Sequence, residues 1–129
     1  MSEEPEWLTK EDVLRAHGRE LQIFGGALGV RDDGALESAL GRPVNKWQYE
    51  NAELPELAAA YAFGIVRNHP FVDGNKRAGF VVMLGFLLLN RIEFAPDPTE
   101  ATAIILGVAA GEINEMGLAR WIRDNWPKA

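Results

Sequence analysis

Residues 57–89 read LAAAYAFGIVRNHPFVDGNKRAGFVVMLGFLLL. The stretches 57–66 and 78–89 carry no charged side chain. Helices that are apolar all round must be buried. Two buried helices joined by a polar loop therefore define the centre of an all-α domain. Pro55 suits the first turn of a helix over 56–68, where its missing N–H costs nothing. The second helix is expected over 75–90 and at the centre of the domain. A third apolar helix is expected over 99–110, after the Pro96 and Pro98 connection. A last one over 115–125 turns Leu118, Trp121 and Ile122 inward.

The N-terminal half is more amphipathic. Thr9 and Asp12 form a capping-box pattern that starts a helix near Lys10. Val13, Leu14, Leu21 and Phe24 continue it to Gly25-Gly26. Asp33 is placed to cap a short helix carrying Leu36 and Leu40, ended by Gly41 and Pro43. Residues 44–54 read as an irregular polar arm with Trp47 and Tyr49 in alternation. No strand run of useful length and no repeat is evident.

Composition sets the frame. The chain has 129 residues, 47% of them hydrophobic and 25% charged, which suits one soluble domain with one core. Residues 1–6 are expected to be a disordered acidic lead. The net charge of −6 argues against direct nucleic-acid binding, which needs clustered Lys and Arg. There is no cysteine, so thiol chemistry and disulfides are excluded. The acidic start lacks the apolar core of a signal peptide, and 78–89 is too short to span a bilayer. Cytoplasm and no membrane contact are the expectations.

The loop 69–77 concentrates chemistry. Gly74 and Asn75 readily take unusual backbone angles, so successive N–H groups can converge on one point. The helix starting near Asn75 adds unpaired N–H groups and the positive end of its dipole, making an anion cradle. Lys76 and Arg77 are slightly unfavourable at a helix N-terminus unless an anion sits there. Asp73 beside a phosphate cradle is a natural holder of Mg²⁺. His69 can accept a proton near neutral pH, and Phe71 anchors the loop in the core. Arg67 either reaches the phosphates or serves as a C-terminal helix charge.

His69-Pro70-Phe71-Val72-Asp73-Gly74-Asn75-Lys76-Arg77 resembles the signature of the Fic/Doc superfamily. The Fic branch usually reads H-P-F-x-D/E-G-N-G-R-x-x-R. Here Lys76 stands at the second motif glycine and Phe80 at the final arginine. Both departures are similar to the Doc (death on curing) branch. The stretch Gly29-Val30-Arg31-Asp32-Asp33-Gly34-Ala35-Leu36-Glu37-Ser38-Ala39-Leu40-Gly41-Arg42-Pro43 resembles a segment upstream of the motif in Doc-like proteins.

The resemblance implies an all-α fold and a protein kinase of the toxin–antitoxin type. Such a kinase transfers the ATP γ-phosphate, with Mg²⁺, to a threonine of a translation factor similar to elongation factor Tu. It implies His69 as base, with Gly74, Asn75, Lys76 and Arg77 around the phosphates and Asp73 on the metal. The alternatives are Fic-type AMP transfer to a protein hydroxyl and an inactive interaction module. Fic proteins dock their targets on a flap near the motif. Residues 44–54 are the expected flap here, with Trp47 and Tyr49 either gripping a peptide or covering the core edge. No inhibitory S/T-x-x-x-E-G/N helix is present, so an antitoxin acting in trans is expected.

Overall fold

The computed structural model describes residues 3–128. Six helices follow one another: α1 (Lys10–Phe24), α2 (Asp33–Glu50), α3 (Leu54–Asn68), α4 (Asn75–Leu89), α5 (Pro98–Ala109) and α6 (Glu115–Asp124). The domain is all-α. Among the described residues the one β-type pairing is an isolated antiparallel bridge between Val30 and Phe71.

Local signals start these helices. Thr9 and Asp12 form the reciprocal capping box of α1, and the side chains of Asp32, Asp97 and Asn114 cap α2, α5 and α6. Glu53 and Glu56 cap α3, and Pro55 sits in its first turn. The cap of α2 is Asp32 rather than Asp33. Asp33 instead pairs with Lys10 at 2.6 Å, tying α2 to α1.

One expectation changes. Helix α2 does not stop at Gly41 and Pro43 but runs on to Glu50, so the irregular arm 44–54 is mostly helix. Proline in a helix interior costs roughly 3 kcal/mol. Packing outweighs that here: Leu36, Ala39 and Pro43 are buried along one side of α2. The approach to α3 is close, since a Cβ on Gly64 would lie 3.1 Å from the Ala39 Cα.

The centre is formed by α4 together with α3. Helix α3 packs against α2, α4, α5 and α6, while α4 packs against α1, α3 and α5. The run Leu57-Ala58-Ala59-Ala60-Tyr61-Ala62 is buried without a break, and its small side chains let four helices close around α3. Helix α4 buries Ala78, Val82, Met83, Phe86 and Leu87 but exposes Leu88 and Leu89. Helix α5 buries only Ala101, Ile105 and Val108. Both are apolar beyond what the core takes up.

Of the stretch 1–6, Met1 and Ser2 lie outside the described residues. The Glu6 N–H donates to Asn90 Oδ1 at 2.9 Å, and Asn90 Nδ2 donates to the Glu6 carbonyl at 3.0 Å. Trp7 stacks on Phe86 and meets Trp47 edge-on. No described helix is long and apolar enough to cross a membrane.

Candidate functional site

The turn between α3 and α4 is fixed by its own backbone. His69 closes α3 in the left-handed region (φ 53°, ψ 53°), its N–H donating to the Ile65 carbonyl. That conformation is uncommon outside glycine, and here it turns the chain sharply out of the helix. Phe71 follows, fully buried. Its N–H donates to Asn75 Oδ1 at 2.9 Å, and Asn75 Nδ2 donates back to its carbonyl at 3.0 Å. The Asn75 side chain therefore closes the loop, and only its backbone N–H is left for a ligand.

The N-cap of helix α4 is Gly74, which has φ 75° and no side chain to cap the first turn. Its first turn holds no acidic residue. Each of the other five helices carries one. The N-terminal amides and dipole of α4 are thus left for an outside anion. Lys76 and Arg77 project there, both exposed. The Arg77 guanidinium lies over the Phe24 ring, 4.4 Å from its centre. Such stacking leaves the guanidinium N–H fork free at its edge.

Asp73 turns its carboxylate across the loop. Oδ2 accepts from the Ala27 N–H at 3.2 Å, and Oδ1 accepts from the Gly74 N–H at 2.9 Å. These two bonds, helped by the charge of Arg77, hold its pKa below the ordinary carboxylate value. It is ionised at neutral pH and keeps unused lone pairs.

These residues share one cleft of about 710 Å³, lined by His69, Asp73, Gly74, Asn75, Lys76, Arg77 and Phe80, with Ala101, Thr102, Ile105 and Leu106 of α5 opposite. The structure thus brings six of the expected residues together. Phe71 is buried beneath them as the loop's anchor, while Arg67, Trp47 and Tyr49 do not join the cleft. The Arg67 guanidinium donates to the Val108 carbonyl at 3.3 Å, near the C-terminal end of α5, and does not line the cleft. Trp47 lines a separate depression of about 840 Å³ with Trp126 and Arg123. Tyr49 is 82% exposed. Residues 44–54 are therefore not beside the motif, because helix α2 carries them away from it.

The segment that does flank the motif is 25–32. The Val72 N–H donates to the Gly29 carbonyl, and the Arg31 and Asp32 N–H groups donate to the Pro70 carbonyl. Gly26 has φ 125°, a backbone conformation that L side chains rarely adopt, and a Cβ there would lie 2.9 Å from Asp73 Oδ2. The sequence singled out residues 29–32 as part of a Doc-like stretch but did not place them beside the motif, and it assigned no role to His17 or Arg31. One signal was present: Val13, His17 and Leu21 are four residues apart, which places His17 on the inward face of α1.

Residues 7–87 match the family model described as Fic/DOC family. The chain belongs to that family. It is 31% identical over 117 residues to a protein named protein kinase doc of Escherichia phage P1, covering 90% of this chain and 92% of that protein. It is 41% identical over 94 residues to a protein named toxin Doc of Mycolicibacterium smegmatis, covering 71% and 70% respectively. The matched family region contains α1, the 25–32 segment and the whole motif loop.

Proposed function

We propose that this Fic/DOC protein is a phosphotransferase of the Doc type that moves the ATP γ-phosphate to a protein hydroxyl. The observation that carries this reading is Phe80. It stands in the cleft wall where the Fic motif has its last arginine, so no guanidinium at that position can hold a terminal phosphate away from the helix. Lys76 adds charge at the helix N-terminus itself. Both features favour the terminal phosphate in the cradle. The name of the phage relative, protein kinase doc, points the same way.

His69 is exposed at the rim of the cleft and would take the proton of the attacking hydroxyl, a role typically worth 10²–10⁴-fold. The amides of Asn75, Lys76 and Arg77, with the two cationic side chains, would stabilise charge spreading onto the transferred group. No cluster of three or more metal-binding side chains exists among the described residues. A single ionised Asp73 beside a phosphate cradle fits Mg²⁺ carried in by the nucleotide, which needs one or two carboxylates plus phosphate oxygens. When bound, that ion would neutralise phosphate charge.

The target would lie along 25–32 rather than against Trp47 and Tyr49. Leu28 and Val72 are 75% and 49% exposed beside the cleft, an apolar strip suited to an extended segment. A threonine of a translation factor like elongation factor Tu is the proposed acceptor, an antitoxin acting in trans the proposed inhibitor, and the cytoplasm the proposed location. The test is incubation with ATP and cell extract, followed by mass measurement of the modified proteins. Addition of one phosphate supports the reading. Addition of one AMP with release of pyrophosphate replaces it by Fic-type transfer, and no modification at all favours an interaction module.

A further inference from the structure

The geometry points to His17 as a positioning residue that aims the Asp73 carboxylate and the start of α4, rather than a filler of the core. His17 belongs to α1 and is 4% exposed. Its Nε2 lies 2.7 Å from the Asp73 carbonyl oxygen. A carbonyl can only accept, so Nε2 carries the proton and donates. The imidazole also stacks on Phe71, 3.7 Å between ring centres and 7° from parallel.

The consequence follows from peptide planarity. No cis peptide bond occurs among the described residues, so the C=O of Asp73 and the N–H of Gly74 point to opposite edges of one rigid plane. His17 holds the oxygen edge. The nitrogen edge donates to Asp73 Oδ1 at 2.9 Å. One bond from α1 therefore sets the plane, and the plane sets the carboxylate. The same carboxylate receives the Ala27 N–H, which locks the 25–32 segment onto the loop. The peptide leads directly into the first turn of α4, so its tilt also directs the anion cradle. Neither Fic-type nor Doc-type chemistry needs His17 to touch a substrate, and it does not line the cleft.

Two variants separate the donor from the ring. His17→Phe keeps a ring over Phe71 and deletes the N–H. His17→Gln deletes the ring and keeps an N–H at similar reach. Amide NMR reads the loop without any assumption about the reaction. In His17→Phe, the Gly74 and Ala27 amide protons should move upfield as their bonds to Asp73 loosen. In His17→Gln they should stay near their native positions although the melting temperature falls. The kinetic arm rests on the phosphotransferase reading. There, His17→Phe should lose kcat by about 10²-fold, the scale of a 1 Å misplacement, with KM for ATP changed far less, and His17→Gln should recover most of it.

A folded His17→Phe with native Gly74 and Ala27 amides overturns the inference. If His17→Phe does not fold, His17→Gln decides. Native amides in a less stable protein support the inference, and displaced amides in a folded one overturn it. If the wild-type protein transfers no phosphate, the reaction assignment falls while the amide measurement still decides on His17.

Discussion

Arg31 donates through Nε to the His69 carbonyl at 2.6 Å and through Nη2 to the Asn68 carbonyl at 3.0 Å. These are the last acceptors of α3, groups that a helix leaves unpaired. A cation there also meets the negative end of the helix dipole. The same fork holds the residue whose left-handed backbone aims the proposed base. Arg31→Ala should therefore cost stability of about 1 kcal/mol, less than a buried charged hydrogen bond because the side chain is exposed. It should cost activity more, on the order of 10²-fold, because His69 is released from its geometry. Arg31→Lys keeps the charge without the fork and should fall between. Melting curves and transfer rates on the same samples check this. Equal proportional losses in both would show a purely structural role.

His69 itself should behave in the opposite way. His69→Ala should lower transfer by about 10²–10⁴-fold and leave the melting temperature close to native, because the imidazole is exposed. His69→Gly should be equally inactive but at least as stable as His69→Ala, since glycine carries no penalty at φ 53°. A strong loss of stability in His69→Ala with activity retained in the folded fraction would overturn the base assignment.

The fold was legible where local and tertiary signals agree. The capping box of Thr9 and Asp12, Pro55 at the start of α3, and the uncharged stretches 57–66 and 78–89 each placed a helix. It was illegible at Pro43, where burial against α3 overrides a local stop signal. That one position made 44–54 read as an arm rather than helix, although Trp47 does pack on the edge of the core, one of the two readings open to it. The cleft residues were readable because they lie within nine consecutive positions. Their supports were not, since His17 and Arg31 reach the loop from 56 and 38 residues away. The commitment of the Asn75 side chain to Phe71 was equally hidden, because a cradle residue and a loop-closing residue look alike in a motif.

Asp73 gives a pH prediction with a definite sign. Its pKa is lowered in the folded protein by the Ala27 and Gly74 N–H groups. A depressed carboxylate contributes stability that is complete above its unfolded value and is lost as pH falls through the folded one. Asp12 and Asp33 are shifted in the same direction, by the Thr9 backbone and by Lys10 respectively. Stability should be flat in pH from neutrality down to the ordinary carboxylate range and then fall. Asp73→Asn should make that fall shallower. It should also weaken Mg²⁺-dependent ATP binding while adenosine binding is little changed, which calorimetry on ATP, ADP and adenosine can read. Equal weakening of all three ligands would mean that Asp73 supports the loop alone.

The choice between phosphate and AMP transfer can be put to the chain directly through Lys76→Gly with Phe80→Arg, which restores the Fic motif. Phe80 is half-buried and lines the cleft, so an arginine there can carry its guanidinium outward along an apolar stem. Position 80 lies four residues after Lys76, on the same face of α4, and the new guanidinium could take a terminal phosphate by two hydrogen bonds. Removing Lys76 takes away the charge that draws this phosphate to the helix N-terminus. The glycine should cost roughly 1 kcal/mol of helix stability, so a melting curve comes first. In a folded double variant the product should shift from phosphate towards AMP. If it still transfers only phosphate, then Phe80 does not decide the orientation of the nucleotide, and α5 on the opposite wall, through Thr102 and Leu106, becomes the place to look.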